Sequence, residues 1–81
     1  VTIVSDKPEK IAELIHTLMD RGTTLLQAKG GYTKTEKEVV YCVVSRSEIN
    51  RLKDIVYHAD PKAFIVVSDA YDVMGEGFTW K

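Results

Sequence analysis

The 81-residue chain is predicted to fold as one α+β domain of element order β-α-β-β-α-β, a four-stranded antiparallel sheet with two helices on one face. Three observations carry this expectation. Two stretches space their apolar residues as amphipathic helices do, four runs are extended in character, and capping or turn residues separate the six.

Val1-Thr2-Ile3-Val4 alternates apolar and polar residues and reads as a short strand. Asp6 then offers an N-cap oxygen, Glu9 completes a capping box, and Pro8 falls in the first turn, where its missing N–H costs nothing. Ile11, Leu14, Ile15, Leu18 and Met19 form the first apolar stripe, with Gly22 placed to end the helix. Thr23 to Ala28 resumes extended character, and a glycine-rich loop leads into the β-branched run Val39 to Val44. These two runs pair most simply as a hairpin. Ser45-Arg46-Ser47-Glu48 is a second capping box, before a stripe of Ile49, Leu52, Ile55, Val56 and Ala59. Asp60-Pro61 stops that helix, and Ala63 to Val67 is the last strand. This plan is the ferredoxin-like one.

Composition bounds the function. At 44% hydrophobic and 28% charged the chain is an ordinary globular domain, with room for one core over residues 1–81. A chain of this length buries only about 60–65% of its unfolded surface, so association with copies of itself would add stability. The net charge of −1, with basic residues spread along the chain, lacks the footprint of a nucleic-acid binder. Cys42 has no second cysteine to pair with, and no Cys/His spacing suggests a metal. No apolar run reaches the roughly eighteen residues a membrane span needs. The chain starts at Val1, already inside a strand, which suggests a domain excised from a longer protein.

The strand patterning predicts a partner. With helices on one face only, strands should alternate apolar with polar. Instead Val40, Cys42 and Val44 oppose Val39, Tyr41 and Val43, and Ala63, Ile65 and Val67 oppose Phe64 and Val66. Both faces are apolar, so another subunit is expected to cover the second one. The competing cover is the tail, through Val73, Met74, Phe78 and Trp80, or a domain missing from this chain.

The most unusual stretch is Gly30-Gly31-Tyr32-Thr33-Lys34, where flexible backbone N–H groups stand beside hydroxyls and the cations of Lys29, Lys34 and Lys37. That chemistry suits a small anionic ligand, although neither P-loop nor dinucleotide spacing is present. A hairpin turn with solvated lysines is the plain alternative, and some seven residues before Glu38 make it long for one. Asp60 reads first as a helix stop and second as a residue facing a neighbouring subunit. Gly75-Glu76-Gly77-Phe78 reads either as a flexible tail or as a turn that would place Glu76 and Phe78 on a ligand, the turn being preferred. His16 and His58 sit on separate helices without ligand-spaced partners, and no nucleophile–base pair is left to nominate. The chain therefore reads as non-catalytic, with no cofactor or metal; an enzyme would have only Glu76 with Asp60 as an acid–base pair.

Gly30-Gly31-Tyr32-Thr33, Asp60-Pro61-Lys62-Ala63-Phe64 and Gly75-Glu76-Gly77-Phe78, in this order, resemble the C-terminal cytosolic domain of the YitT-type bacterial membrane proteins. The resemblance spans nearly the whole chain. It implies a domain of unknown function appended to an upstream transmembrane portion at the cytoplasmic face of the bacterial membrane. A more distant similarity is to PII-like signalling proteins, trimeric ferredoxin-like domains that bind nucleotides near subunit clefts and carry a loop where Gly30 to Lys37 lies. The expectation is a regulatory sensor: a homo-oligomer such as a trimer, binding a small anionic metabolite or nucleotide between subunits. The alternative is a purely structural oligomerisation module without a ligand.

Overall fold

The computed structural model describes residues 1–71 and 73–75 and has the predicted α+β plan. Its elements are β1 (Thr2–Val4), α1 (Pro8–Met19), β2 (Thr24–Lys29), β3 (Glu36–Tyr41), a 3-10 turn (Arg46–Glu48), α2 (Ile49–Ala59) and β4 (Phe64–Val66). The strands form one antiparallel sheet in the order β2-β3-β1-β4, which places the first strand in the interior of the sheet and β2 and β4 at its edges. This is the ferredoxin-like arrangement.

The core lies between this sheet and the helices. Ile11, Ile15 and Met19 of α1 and Leu52, Ile55, Val56 and Ala59 of α2 pack on Ile3, Val40, Cys42 and Ala63. Leu25 and Ile65 extend the contact toward the two sheet edges. Ile3, Ile11, Ile15, Leu52, Val40 and Val56 are fully buried, and each stabilises the fold by about 1.5–3 kcal/mol through removal of apolar surface from water.

Several local expectations need correction. Asp6 does not cap α1; the N-cap is Lys7, with no side-chain cap, because the preceding residues are drawn to a distant carboxylate. Nor does Gly22 end the helix. Asp20 takes the left-handed conformation at φ 55° and its N–H donates to the His16 carbonyl at 3.1 Å, while Arg51 caps the Leu18 carbonyl from α2 at 2.6 Å. The second capping box does form: the Ser45 N–H donates to the Glu48 carboxylate at 2.9 Å. It heads the 3-10 turn rather than α2 itself. That bond, first among several, and the Arg21 guanidinium at 3.1 Å hold the Glu48 carboxyl below its ordinary range.

The hairpin is longer in strand and shorter in loop than expected. Lys29 pairs with Glu36, Ala28 with Lys37 and Gln27 with Glu38, so β3 starts three residues before the β-branched run and ends at Tyr41 instead of Val44. Ladder hydrogen bonds at a solvent-facing corner tolerate the charged residues that mark this stretch as loop-like. β4 is likewise trimmed at both ends, to Phe64–Val66.

Candidate functional site

The loop between β2 and β3 is a closed turn. Gly30 N–H donates to the Thr35 carbonyl at 2.9 Å, Lys34 N–H donates to the Gly30 carbonyl at 3.0 Å, and Thr35 N–H donates to the Thr33 hydroxyl at 3.3 Å. Gly30 is needed for space: a Cβ there would stand 2.5 Å from the Thr33 Oγ1, whereas Gly31 faces open space. Neither glycine uses a positive φ; that conformation falls on Lys34, at 63°. Two backbone donors of the expected anion cradle, those of Gly30 and Lys34, are thus spent on closing the turn. The N–H groups of Gly31, Tyr32 and Thr33 have no partner among the described residues, and Tyr32 is 97% exposed.

The cleft beside the hairpin, about 520 Å³, runs between Thr33, Thr35 and the corner at Ser5 and Asp6. Asp6, Glu36 and Glu38 set three carboxylates around the single ammonium of Lys37. An anion is repelled from its interior, and favourable charge is left only toward the hairpin tip, at Lys29 and Lys34.

Asp60 does not join the hairpin; it belongs to a corner. Its carboxylate is buried and accepts the Ser5 hydroxyl at 2.6 Å, the Lys62 N–H at 3.0 Å and the Asp6 N–H at 3.4 Å. Ser5, also buried, in turn accepts the Lys7 N–H at 2.9 Å. These bonds, the Ser5 hydroxyl foremost, hold the Asp60 carboxyl below the usual carboxylate range. Asp60 therefore fastens the β1–α1 connection to the α2–β4 connection. Glu76 and Phe78 lie outside the described residues.

The third candidate is the sheet face turned away from the helices. Ile3, Val40, Leu25 and Ile65 point into the core, so alternation sends their neighbours outward. The register then lays out two rows across the four strands: Leu26, Val39, Val4 and Phe64, and beside it Thr24, Tyr41, Thr2 and Val66. Phe64 is 63% exposed, Leu26 45%, Val66 44% and Tyr41 43%. Among the described residues no helix or strand packs over these rows, although Tyr41 lines a cavity with Val67, Asp69 and Val73; within the rows the Tyr41 phenol is the sole ionisable group. Sequence patterning found the β3 and β4 parts of this face. It missed Thr24 and Leu26, whose orientation depends on the hairpin register.

At the end of the sheet a cavity of about 340 Å³ opens between Val43, Val44, Ile49 and Val67, with the exposed Arg46–Asp69 ion pair, 3.1 Å, at its margin. The histidines are exposed on separate helices, as expected. Cys42 is a core residue whose thiol is pushed up in pKa by burial. Among the described residues no helix is long and apolar enough to cross a membrane, and no group of His, Cys, Asp and Glu is arranged to hold a metal ion.

Comparison with known proteins agrees with the resemblance carried by the glycine and Asp-Pro motifs. Residues 21–75 match the family described as "Uncharacterized protein conserved in bacteria (DUF2179)". The UPF0750 membrane protein YxkD of Bacillus subtilis (strain 168) is 47% identical over 78 residues, which are 96% of this chain and 28% of that protein. The UPF0750 membrane protein YitT of the same organism is 38% identical over 73 residues, 90% of this chain and 26% of that one. The chain thus spans about a quarter of the length of these curated relatives. A crystal structure of a DUF2179 protein from Eubacterium ventriosum superposes with a TM-score of 0.73 at 37% identity, covering 83% of this chain and 92% of that one. With the fold, the motif order and the membrane-protein relatives in agreement, the chain belongs to the DUF2179 family.

Proposed function

We propose that this chain is a self-association domain of a UPF0750-type membrane protein, placed at the cytoplasmic face, where contact between its copies holds together or regulates the attached membrane portion. The observation that carries this reading is the outer sheet face, apolar across four strands and open to solvent at Leu26, Tyr41, Phe64 and Val66. Charge depletion at its centre is what the core of a protein–protein contact requires. The role is one of binding rather than catalysis; the Cys42 thiol, for instance, is buried and protonated, a poor nucleophile. Sedimentation equilibrium up to millimolar concentration tests the proposal. Mass should rise with concentration for the wild type and stay monomeric for Tyr41→Glu; a wild type that is monomeric throughout refutes it.

A second reading adds a small anionic ligand, nucleotide-like, that regulates the assembly from the hairpin. It is favoured by the unpartnered N–H groups of Gly31, Tyr32 and Thr33 beside Lys29 and Lys34. Pyrophosphate and ATP should then raise the melting temperature of the wild type and leave Lys34→Ala unmoved. A flat response in the wild type removes the ligand and keeps the structural module.

A further inference from the structure

We infer that the cavity at the end of the sheet is a strand position, continuous with β1, that takes two residues of an extended segment leading into Val1. This goes beyond the self-association reading and stands without it. The observation that carries it is the course of the backbone on either side of β1. That strand lies between β3 and β4, and the register sets Thr2 opposite both Tyr41 and Val66. Past that point both neighbours run on. Val43 and Val44 on one side and Val67, Ser68 and Asp69 on the other line the cavity, with Val1 where β1 enters it. Strands flanking a third stand about twice the 4.8 Å ladder spacing apart, which is the room one strand fills.

The hydrogen bonds fix the phase. Val1 and Cys42 exchange both backbone bonds, at 2.9 Å and 3.1 Å, so they are a hydrogen-bonded pair of the ladder. In an antiparallel sheet such pairs alternate with non-bonded ones, and a central strand turns successive residues to its two neighbours. The residue directly before Val1 therefore aims its N–H and C=O at Ser68, and the residue before that aims at Val44. Among the described residues neither Ser68 nor Val44 makes a hydrogen bond, so both hold the donor and acceptor that such a segment would use.

Side chains follow the same count. Val1, Cys42 and Val44 lie on the core side of the sheet. The second residue before Val1 thus faces Val44 and Ile49 and suits an apolar side chain, while the residue next to Val1 faces outward, as Thr2 does. The Arg46–Asp69 ion pair, 3.1 Å, sets the length. It joins the two flanking runs just beyond Val44 and Ser68, so a third residue leaves the sheet there.

Continuity decides the occupant. A segment joined to β1 enters in this register without the loss of translational freedom that a separate peptide suffers. This chain spans 28% of the membrane protein YxkD, and in the YitT-type layout the membrane portion lies upstream of the domain. Its connection is then an interior strand, and a pull on it acts on the ladder at Val44 and Ser68.

Amide exchange followed by NMR tests this on two extended forms of the full chain. Val-Thr added ahead of Val1 should slow exchange of the Val44 and Ser68 N–H groups about tenfold or more relative to the 81-residue chain, and should raise the melting temperature. Val-Pro should give neither effect, because proline next to Val1 has no N–H for the Ser68 carbonyl and does not fit between two ladders. Exchange unchanged by Val-Thr, or slowed equally by Val-Pro, overturns the inference. So does exchange at Val44 and Ser68 in the 81-residue chain as slow as that of the Cys42 N–H, which would mean that a second copy or the chain's own tail already bonds them.

Discussion

The two faces of the sheet are made by the same strands from similar residues, yet one is closed and the other open. On the closed face Ile3 and Val40 are fully buried under α1 and α2; on the open face Phe64 and Val66, from the same sheet, stand in solvent. The difference teaches that apolarity along a strand states how many faces need cover, while helix amphipathicity states how many receive it within the chain. Two stripes cover one face, and the surplus on the other is a property of the molecule to be explained by what it meets.

The contrast can be broken most directly in the core. Ile15→Ala should cost about 2–5 kcal/mol in urea denaturation, through lost burial and the cavity left behind. A loss under 1 kcal/mol, by the same scale, would mean the closed face is not the folding core.

Asp60→Asn sharpens the closed side by asking how much of it depends on one polar corner. The folded Asp60 carboxyl lies below its ordinary pKa, because the Ser5 hydroxyl and the Lys62 and Asp6 N–H groups favour its charged form. Its contribution is fully present above the unfolded value near 3.9 and is lost as pH falls through the folded value. The variant should be less stable than wild type at pH 7, and its stability should fall less steeply on acidification. Part of the slope should survive through Glu48, which is shifted the same way. Identical acid profiles for variant and wild type would remove the corner from the account.

Smaller effects belong to the exposed side. Gly30→Ala should cost about 1 kcal/mol, since the added methyl displaces the Thr33 hydroxyl and its bond to the Thr35 N–H. Gly31→Ala and, at micromolar concentration where copies are apart, Phe64→Ala should each stay within about 0.5 kcal/mol of wild type. If Phe64→Ala lost as much as Ile15→Ala, the two faces would not differ as described.

Much of this molecule was legible in its residues. The stripes predicted most of the buried helix side chains, Ile11, Ile15 and Met19 on one helix and Leu52, Ile55, Val56 and Ala59 on the other, because helical periodicity is local and strong; Leu18, in the same stripe, is exposed instead. The motifs pointed to the family for the same reason. What escaped depended on distant pairing. Glu36-Lys37-Glu38 reads as loop by charge, and only its partners across the hairpin make it strand. Asp6 has every local qualification as a cap, but Asp60, 54 residues away, accepts its N–H instead. The anion cradle follows from the loop's residue types; the turn's own hydrogen bonds claim two of its donors, the N–H groups of Gly30 and Lys34.

The sheet order carries a consequence for how the chain reaches this state. β1 is made first, yet its neighbours are Val40 and Ile65 opposite Ile3, residues that emerge from the ribosome much later. Until then the hairpin of β2 and β3 is the one strand pairing that can close locally. A chain grown past β3 can already pair β1 with β3, but the other edge of β1 stays open until Ile65 is made. With local helices and a hairpin beside these long-range pairings, such a chain belongs in the intermediate range of small domains. Cutting the gene at residue 60 should therefore leave a chain that keeps its hairpin and loses its cooperative transition.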